Sequence, residues 1–249
     1  MLRTVEATRY VMPFREGGSL PALVEASDDG LYVLKFTGAG QGPKALVAEI
    51  VVGELARALG FRVPELVLAE LDPALGVAEP DPEIQDLLAA SAGTNLGVDF
   101  LPGALGFNPA AGFVPAPDLA ADVVWLDALV TNVDRTARNT NLLEWHGQLW
   151  LIDHGAALYF HHAGGAAGRE RMPFPEVAEH VLLPFASSIV EADARLAPRV
   201  THELLERVVG EVPEAWLAET AGGEYVRFLE GRLAAPRGFV HEAEEARGR

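Results

Sequence analysis

The sequence predicts an α+β chain in two lobes, strand-rich first and mostly helical after. Three observations predict it. Short apolar runs broken by turn residues fill the first third, a Pro-, Gly-, Ala- and acid-rich stretch runs from Asp72 to Asp118, and helical periodicity dominates from Pro175 onward. Strands followed by helices in one chain are the pattern of α+β folds. The expected arrangement is one domain, with an N-lobe over about 1–101, a C-lobe over about 102–240 and a frayed, charged tail at 241–249.

The elements follow in order. Tyr10–Phe14 reads as a short strand, Glu16-Gly17-Gly18-Ser19 as a flexible turn and Leu20–Ala26 as a second strand. Asp28-Asp29-Gly30 is a hairpin turn, because Asp-Gly tolerates positive φ, and Leu31–Phe36 is the third strand. Gly38-Ala39-Gly40-Gln41-Gly42 leads to Pro43, a favoured first helical residue. Apolar residues then recur at helical spacing through Leu46, Ile50, Leu55 and Leu59, and Gly60 ends the helix. Glu65–Leu71 is a further strand, Pro82–Ser91 a helix, and Leu96–Leu101 a strand-like stretch before a loop to Pro117. Leu119–Val130 reads as a buried helix, and Asn141–Trp145 with Gln148–Ile152 as a hairpin across His146-Gly147. Helices are expected at Pro175–Leu183, Ser187–Leu196, His202–Val209, Pro213–Thr220 and Gly223–Leu233.

Composition narrows the function. With 249 residues, 49% of them apolar, a sizeable core is within reach. A formal net charge of −17 argues against nucleic acid and anionic membrane as partners, since both would repel the chain at long range. Cysteine is absent, which excludes disulfides, thiolate catalysis and thiolate metal sites. Met1–Tyr10 mixes acids and bases instead of forming an apolar signal core, and no run approaches membrane-spanning length, so a cytoplasmic protein is expected. Lysine occurs only as Lys35 and Lys44, against seventeen arginines, so a lysine inside an apolar strand stands out.

The most informative segment is Thr131 to Gly155, T-N-V-D-R-T-A-R-N-T-N-L-L-E-W-H-G-Q-L-W-L-I-D-H-G. Asp134 precedes Asn139 by five residues, and Asp153 ends an apolar strand before Gly155. Phosphoryl transfer from ATP needs these groups together: one carboxylate to orient or deprotonate the attacking hydroxyl, and an amide oxygen with a second carboxylate to hold Mg2+. Asp134 is the candidate base, and Asn139 and Asp153 the candidate metal ligands; singly, each is equally a turn or strand-end residue. Lys35 shares a strand face with Leu31 and Val33, and binding the α/β-phosphates would satisfy its ammonium; the bland reading is a snorkelling edge lysine. Glu49 on the following helix is its expected partner. Gly17, Gly18 and Ser19 are candidates for close backbone approach to phosphates, although ordinary hairpins use such residues too. Gly38–Gly42 is a rival, read as a flexible lip before a helix N-terminus. No P-loop motif occurs, and the dinucleotide fingerprint is incomplete. His161-His162 reads as a solvated loop, and Trp125, Trp145 and Trp150 as packing around the hairpin.

V-L-K-F with Glu49, then N-V-D-R-T-A-R-N and L-I-D-H-G, resemble the HipA-type kinases, over about Tyr10 to Phe160. The resemblance implies a two-lobed protein-kinase-like fold, ATP with Mg2+, and transfer of the γ-phosphate to a serine or threonine hydroxyl. It places Lys35, Asp134, Asn139 and Asp153 on the nucleotide, base and metal positions. Two departures stand out: Asn132-Val133 replaces the His-Arg usual before the catalytic aspartate, and His154 replaces the phenylalanine after the metal aspartate. Toxin kinases of this type are considerably longer, so an antitoxin partner does not carry over. Two other readings remain open: a catalytically silent, nucleotide-binding module, and a kinase for a small molecule or lipid.

Overall fold

The computed structural model describes residues 1–14, 20–40, 42–77, 79–217 and 220–248. It contains two compact units, Met1–Leu46 with Pro64–Pro102 and Val47–Val63 with Gly103–Arg249.

The first unit is built on β1 (Thr4–Pro13), β2 (Ala22–Ala26) and β3 (Leu31–Lys35), then the start of α1 (Pro43–Leu59), β4 (Leu66–Leu71), α2 (Pro82–Ala90) and β5 (Gly93–Asp99). Its five strands close into a barrel in the order β1-β2-β3-β5-β4, where a strand-rich lobe was expected without closure. All neighbours are antiparallel except β1 and β4, which seal the ring in parallel with Val5 opposite Ala69. The β1–β2 ladder shifts register between Ala7 and Arg9 and again between Tyr10 and Met12. Such bulges bend and twist a strand, which closure requires.

β1 begins at Thr4, well before the Tyr10 start expected. Only the small residues Val5 and Ala7 face inward there, between exposed Thr4, Glu6 and Thr8, so the alternation is faint in sequence. The core gathers Val5, Val24, Tyr32, Leu34 and Val67 with Ile84 and Leu88 of α2. In β3, Tyr32 and Leu34 are buried while Leu31, Val33 and Lys35 take the other, half-buried face. Two-residue periodicity therefore turns Lys35 away from the barrel core, on the face the sequence indicated.

The start of the loop after β3 is held by hydrogen bonds. Buried Asn95 accepts from the Thr37 amide at 2.9 Å and donates to the carbonyls of Ser91 and Gly93 at 2.7 and 2.9 Å. The Gly38 amide donates to Ser91 Oγ at 3.1 Å, and a Cβ on Gly38 would lie 2.8 Å from that oxygen. Glycine is needed there for close approach.

The second unit takes α1 from Val47 on and adds β6 (Leu105–Gly106), α3 (Pro117–Val130), the hairpin β7 (Leu142–Trp145) and β8 (Gln148–Leu151), α4 (Ile189–Leu196), α5 (His202–Val209), α6 (Gly222–Leu233) and α7 (Gly238–Arg247). α3 is its axis, buried on every side from Val123 to Val130. Expected helices at Pro175–Leu183 and Pro213–Thr220 shrink to 3-10 turns, Pro175–Glu179 with Leu183–Phe185, and Glu214–Leu217. Pro184 disfavours helical backbone at the residue before it and cannot donate to a helix running through. The tail is no frayed end: Gly238–Arg247 is helical and buries Phe239, Val240 and Ala243. Phe239 packs on Trp125 with ring centroids 6.1 Å apart, so three apolar residues on one face outweigh a charged composition. Trp125 thereby belongs to α3 and α7, while Trp145 and Trp150 pair across the hairpin at 5.3 Å. Among the described residues, no helix is long and apolar enough to cross a membrane.

Candidate active site

α3 delivers the loop that carries Asp134. Thr131 ends the helix in left-handed conformation, φ 54° and ψ 49°. For a β-branched residue that backbone costs about 1–2 kcal/mol, and it turns the chain sharply out of the helix. Asn132 then holds the turn from both sides. Its Oδ1 accepts from the Asp134 amide at 3.2 Å, and its Nδ2 donates to Asp127 Oδ1 at 2.9 Å. The replacement of the usual His-Arg is therefore a structural change with its own hydrogen bonds.

Two amides address the candidate base. Asn139 Nδ2 donates to Asp134 Oδ2 at 2.7 Å, and Asn141 Nδ2 donates to the same oxygen at 3.2 Å. The five-residue gap closes because the Thr136 amide donates to the Asn139 carbonyl at 2.9 Å. The structure thus brings Asp134 and Asn139 together, and adds Asn141, which sequence reasoning passed over as a strand start.

Asp153 reaches the same region through the hairpin. Leu142 pairs with Leu151, and the Ile152 amide donates to the Asn141 carbonyl at 3.1 Å. Asp153 follows in left-handed conformation, φ 54°, and is exposed. Aspartate tolerates that region better than most residues. Beyond it, the backbone is held by Glu49 on α1, only 3% exposed, whose carboxylate accepts from the amides of His154 at 2.9 Å and Gly155 at 3.0 Å. Glu49 thus fixes the chain just after Asp153, a task its sequence position does not announce.

One buried cation joins these pieces. Arg135, 1% exposed, donates through Nε to Asp127 Oδ2 at 2.5 Å and through Nη1 to the carbonyls of Asn141 and, at 3.3 Å, Ile152; Nη2 meets His154 Nδ1 at 3.3 Å. Its guanidinium therefore touches α3, the start of β7 and the end of β8 at once. His180 completes the set: Nε2 meets Asp127 Oδ2 at 2.9 Å, while Nδ1 accepts from the Leu182 amide at 3.0 Å. The amide fixes Nδ1 as acceptor, so Nε2 is the nitrogen that carries the proton toward Asp127. A planar five-donor group suits this hub; an ammonium would not reach the same carbonyls.

Burial alone would push the Asp127 carboxyl up, but Arg135 and His180 outweigh it and hold it well below the usual carboxylate range. A depressed folded-state value means stability that is present above the unfolded value and lost as pH falls through the folded one. Acid unfolding should show it. Wild type is expected to lose stability steeply below about pH 4, and Asp127→Asn to start lower at neutral pH and change less over that window. Parallel acid profiles for the two proteins would contradict the assignment.

Four residues expected at the site remain. Lys35 lies on β3 in the first unit, as described, and Gly17, Gly18 and Ser19 lie outside the described residues. His161 is no solvated loop residue: it is 2% exposed, with Nδ1 3.1 Å from the Tyr225 hydroxyl. Burial pushes the Tyr225 phenol up to about 12.

The oxygens at hand fit a small hard cation. Asn139 keeps Oδ1 while its Nδ2 serves Asp134, and Asp153 lies exposed two residues past the end of β8, next to Ile152, whose amide donates to the Asn141 carbonyl. Among the described residues, no group of three or more His, Asp or Glu side chains could cage a metal alone. One amide and one carboxylate oxygen suit Mg2+, which keeps waters and takes phosphate oxygens for the rest.

A model of the HipA-like kinase family matches residues 8–228. Solved kinases share the fold. The Helicobacter pylori proinflammatory kinase CtkA is 14% identical with a TM-score of 0.58, over 98% of each chain. A Golgi casein kinase structure is 14% identical with a TM-score of 0.58, over 99% of this chain and 76% of that one. The same kinase with Mn and ADP bound is 15% identical with a TM-score of 0.54, over 99% and 75%. No curated protein matches the sequence. With a family model spanning most of its length and kinases as its structural likenesses, the chain belongs to the HipA-like kinase family and is a kinase.

Proposed function

We propose that this kinase uses Mg2+ and ATP and transfers the γ-phosphate to a serine or threonine hydroxyl of a polypeptide, its own chain included. The observation that carries the reading is the Asp134 carboxylate, with one oxygen held by Asn139 and Asn141 and the loop pinned from below by Arg135. The fold likeness to a kinase solved with Mn and ADP supports nucleotide and divalent-metal use. Asp134 orients the acceptor hydroxyl and takes its proton; Asn139 Oδ1 and Asp153 would hold the cation. A bound Mg2+ neutralises phosphate charge as the γ-phosphoryl group leaves. Lys35 is proposed for the α/β-phosphates, on the half-buried face of its strand, and Gly17, Gly18 and Ser19 for backbone contact with them.

Incubation with labelled ATP and Mg2+, alone and with polypeptide acceptors, tests the reading. Label on serine or threonine is the expected result. Tight ATP binding without transfer would instead mark a silent module, and label confined to small molecules would move the acceptor class. Asp153→Asn is expected to weaken Mg-dependent ATP binding by about tenfold or more, or about 1.4 kcal/mol. Unchanged binding by calorimetry would remove Asp153 from the metal site.

A further inference from the structure

Beside the catalytic loop, the second unit holds a cavity of about 690 Å3 to which the steps above give no role. Its wall includes Ala137 of the loop, Ala178, Pro184 and Phe185 from the two 3-10 turns, and Ala246 near the end of α7. Ala137, Ala178 and Pro184 are exposed and Phe185 is half-buried, so an open apolar surface is presented. The backbone fixes this wall relative to Asp134: the Val181 amide donates to the Arg135 carbonyl at 3.1 Å, and Thr136 bridges to His180. Ala137 is three residues beyond Asp134, a separation that extended chain spans in at most about 11 Å. Two charges also stand in the wall. Arg247 is paired with Glu244, which leaves Glu179 to set the sign.

We infer that the cavity is an acceptor subsite. It takes an apolar side chain within three positions of the phosphorylated serine or threonine, with a basic residue beside it drawn by Glu179 and by the net charge of −17. The inference rests on the reading that Asp134 serves a polypeptide hydroxyl. What lies in the cavity is continuous with what lies at Asp134, because one short loop lines both. A concave apolar site discriminates by about 10–200-fold between side chains that fill it and those that do not.

The test is phosphorylation of a peptide array by the full chain with labelled ATP and Mg2+, varying each of three positions on either side of a fixed serine or threonine. An aliphatic or aromatic residue should be favoured about tenfold or more at one of those positions, with a basic neighbour preferred. Ala178→Asp should erase the apolar preference while the KM for ATP stays put; Ala246→Glu, on a different element, should do the same if the first variant folds poorly. Glu179→Lys should reverse the preference for the basic neighbour. Peptides phosphorylated with flat preference, or a preference untouched by both cavity variants, would overturn the subsite and leave the polypeptide kinase reading standing. ATP turnover with no label in any peptide or protein would overturn both.

Discussion

Asp134→Ala is expected to slow phosphate transfer by about two to four orders of magnitude, the usual contribution of a positioned general base. The fall should appear in kcat, with the KM for ATP changed little, since Asp134 is assigned to the hydroxyl and not to the nucleotide. Its geometry makes the distinction clean. Asn139 and Asn141 both bind Oδ2, so truncation removes the acceptor for two amides without touching the buried hub below them. Steady-state kinetics on the variant decide the matter. Retention of wild-type kcat would remove Asp134 from the reaction.

Arg135→Met is expected to cost about 3–5 kcal/mol of stability, because it strands the Asp127 carboxylate without its cation in a fully buried place. For a chain of this size that corresponds to a Tm lower by roughly 6–20 °C. Urea unfolding and thermal melts would measure it; a loss under about 1 kcal/mol would contradict the hub. Adding Asp127→Leu should recover part of the stability, since replacing a buried pair by apolar groups is often near neutral. It should not recover activity. The Arg135 contacts to the Asn141 and Ile152 carbonyls, which set the approach of β7 and β8, are gone in either variant.

Much of the fold was legible because local chemistry dictates it. Pro43 to Leu59 is one helix as expected, with a proline at its start and Gly60 at positive φ after its end. The Asp29-Gly30 turn and the His146-Gly147 hairpin also carried their own signals, Asp29, His146 and Gly147 all having positive φ. Barrel closure had no such signal. It rests on the parallel pairing of Thr4–Glu6 with Leu68–Glu70, a contact between segments more than sixty residues apart.

Asp134, Asn139 and Asp153 were singled out from their spacing, while the contacts that hold their segments in place were not. Arg135 reads as one more arginine among seventeen, since sequence cannot show that a guanidinium is buried. A signal did exist in Asp127: a lone carboxylate within Val123–Val130, otherwise apolar, must find a cation or pay heavily for burial. Glu49 was singled out for its place on the helix. Its grip on the His154 and Gly155 amides spans more than a hundred residues and leaves no trace in local pattern.

A crystal structure with Mg2+ and a non-hydrolysable ATP analogue measures most directly whether Asp134, Asn139 and Asp153 form one phosphoryl-transfer site. The expected result is a cation ligated by Asn139 Oδ1 and an Asp153 carboxylate oxygen, with phosphate and water oxygens completing its shell and Asp134 Oδ1 open toward the γ-phosphate. A nucleotide bound elsewhere, or a cation that ignores both Asn139 and Asp153, would contradict it.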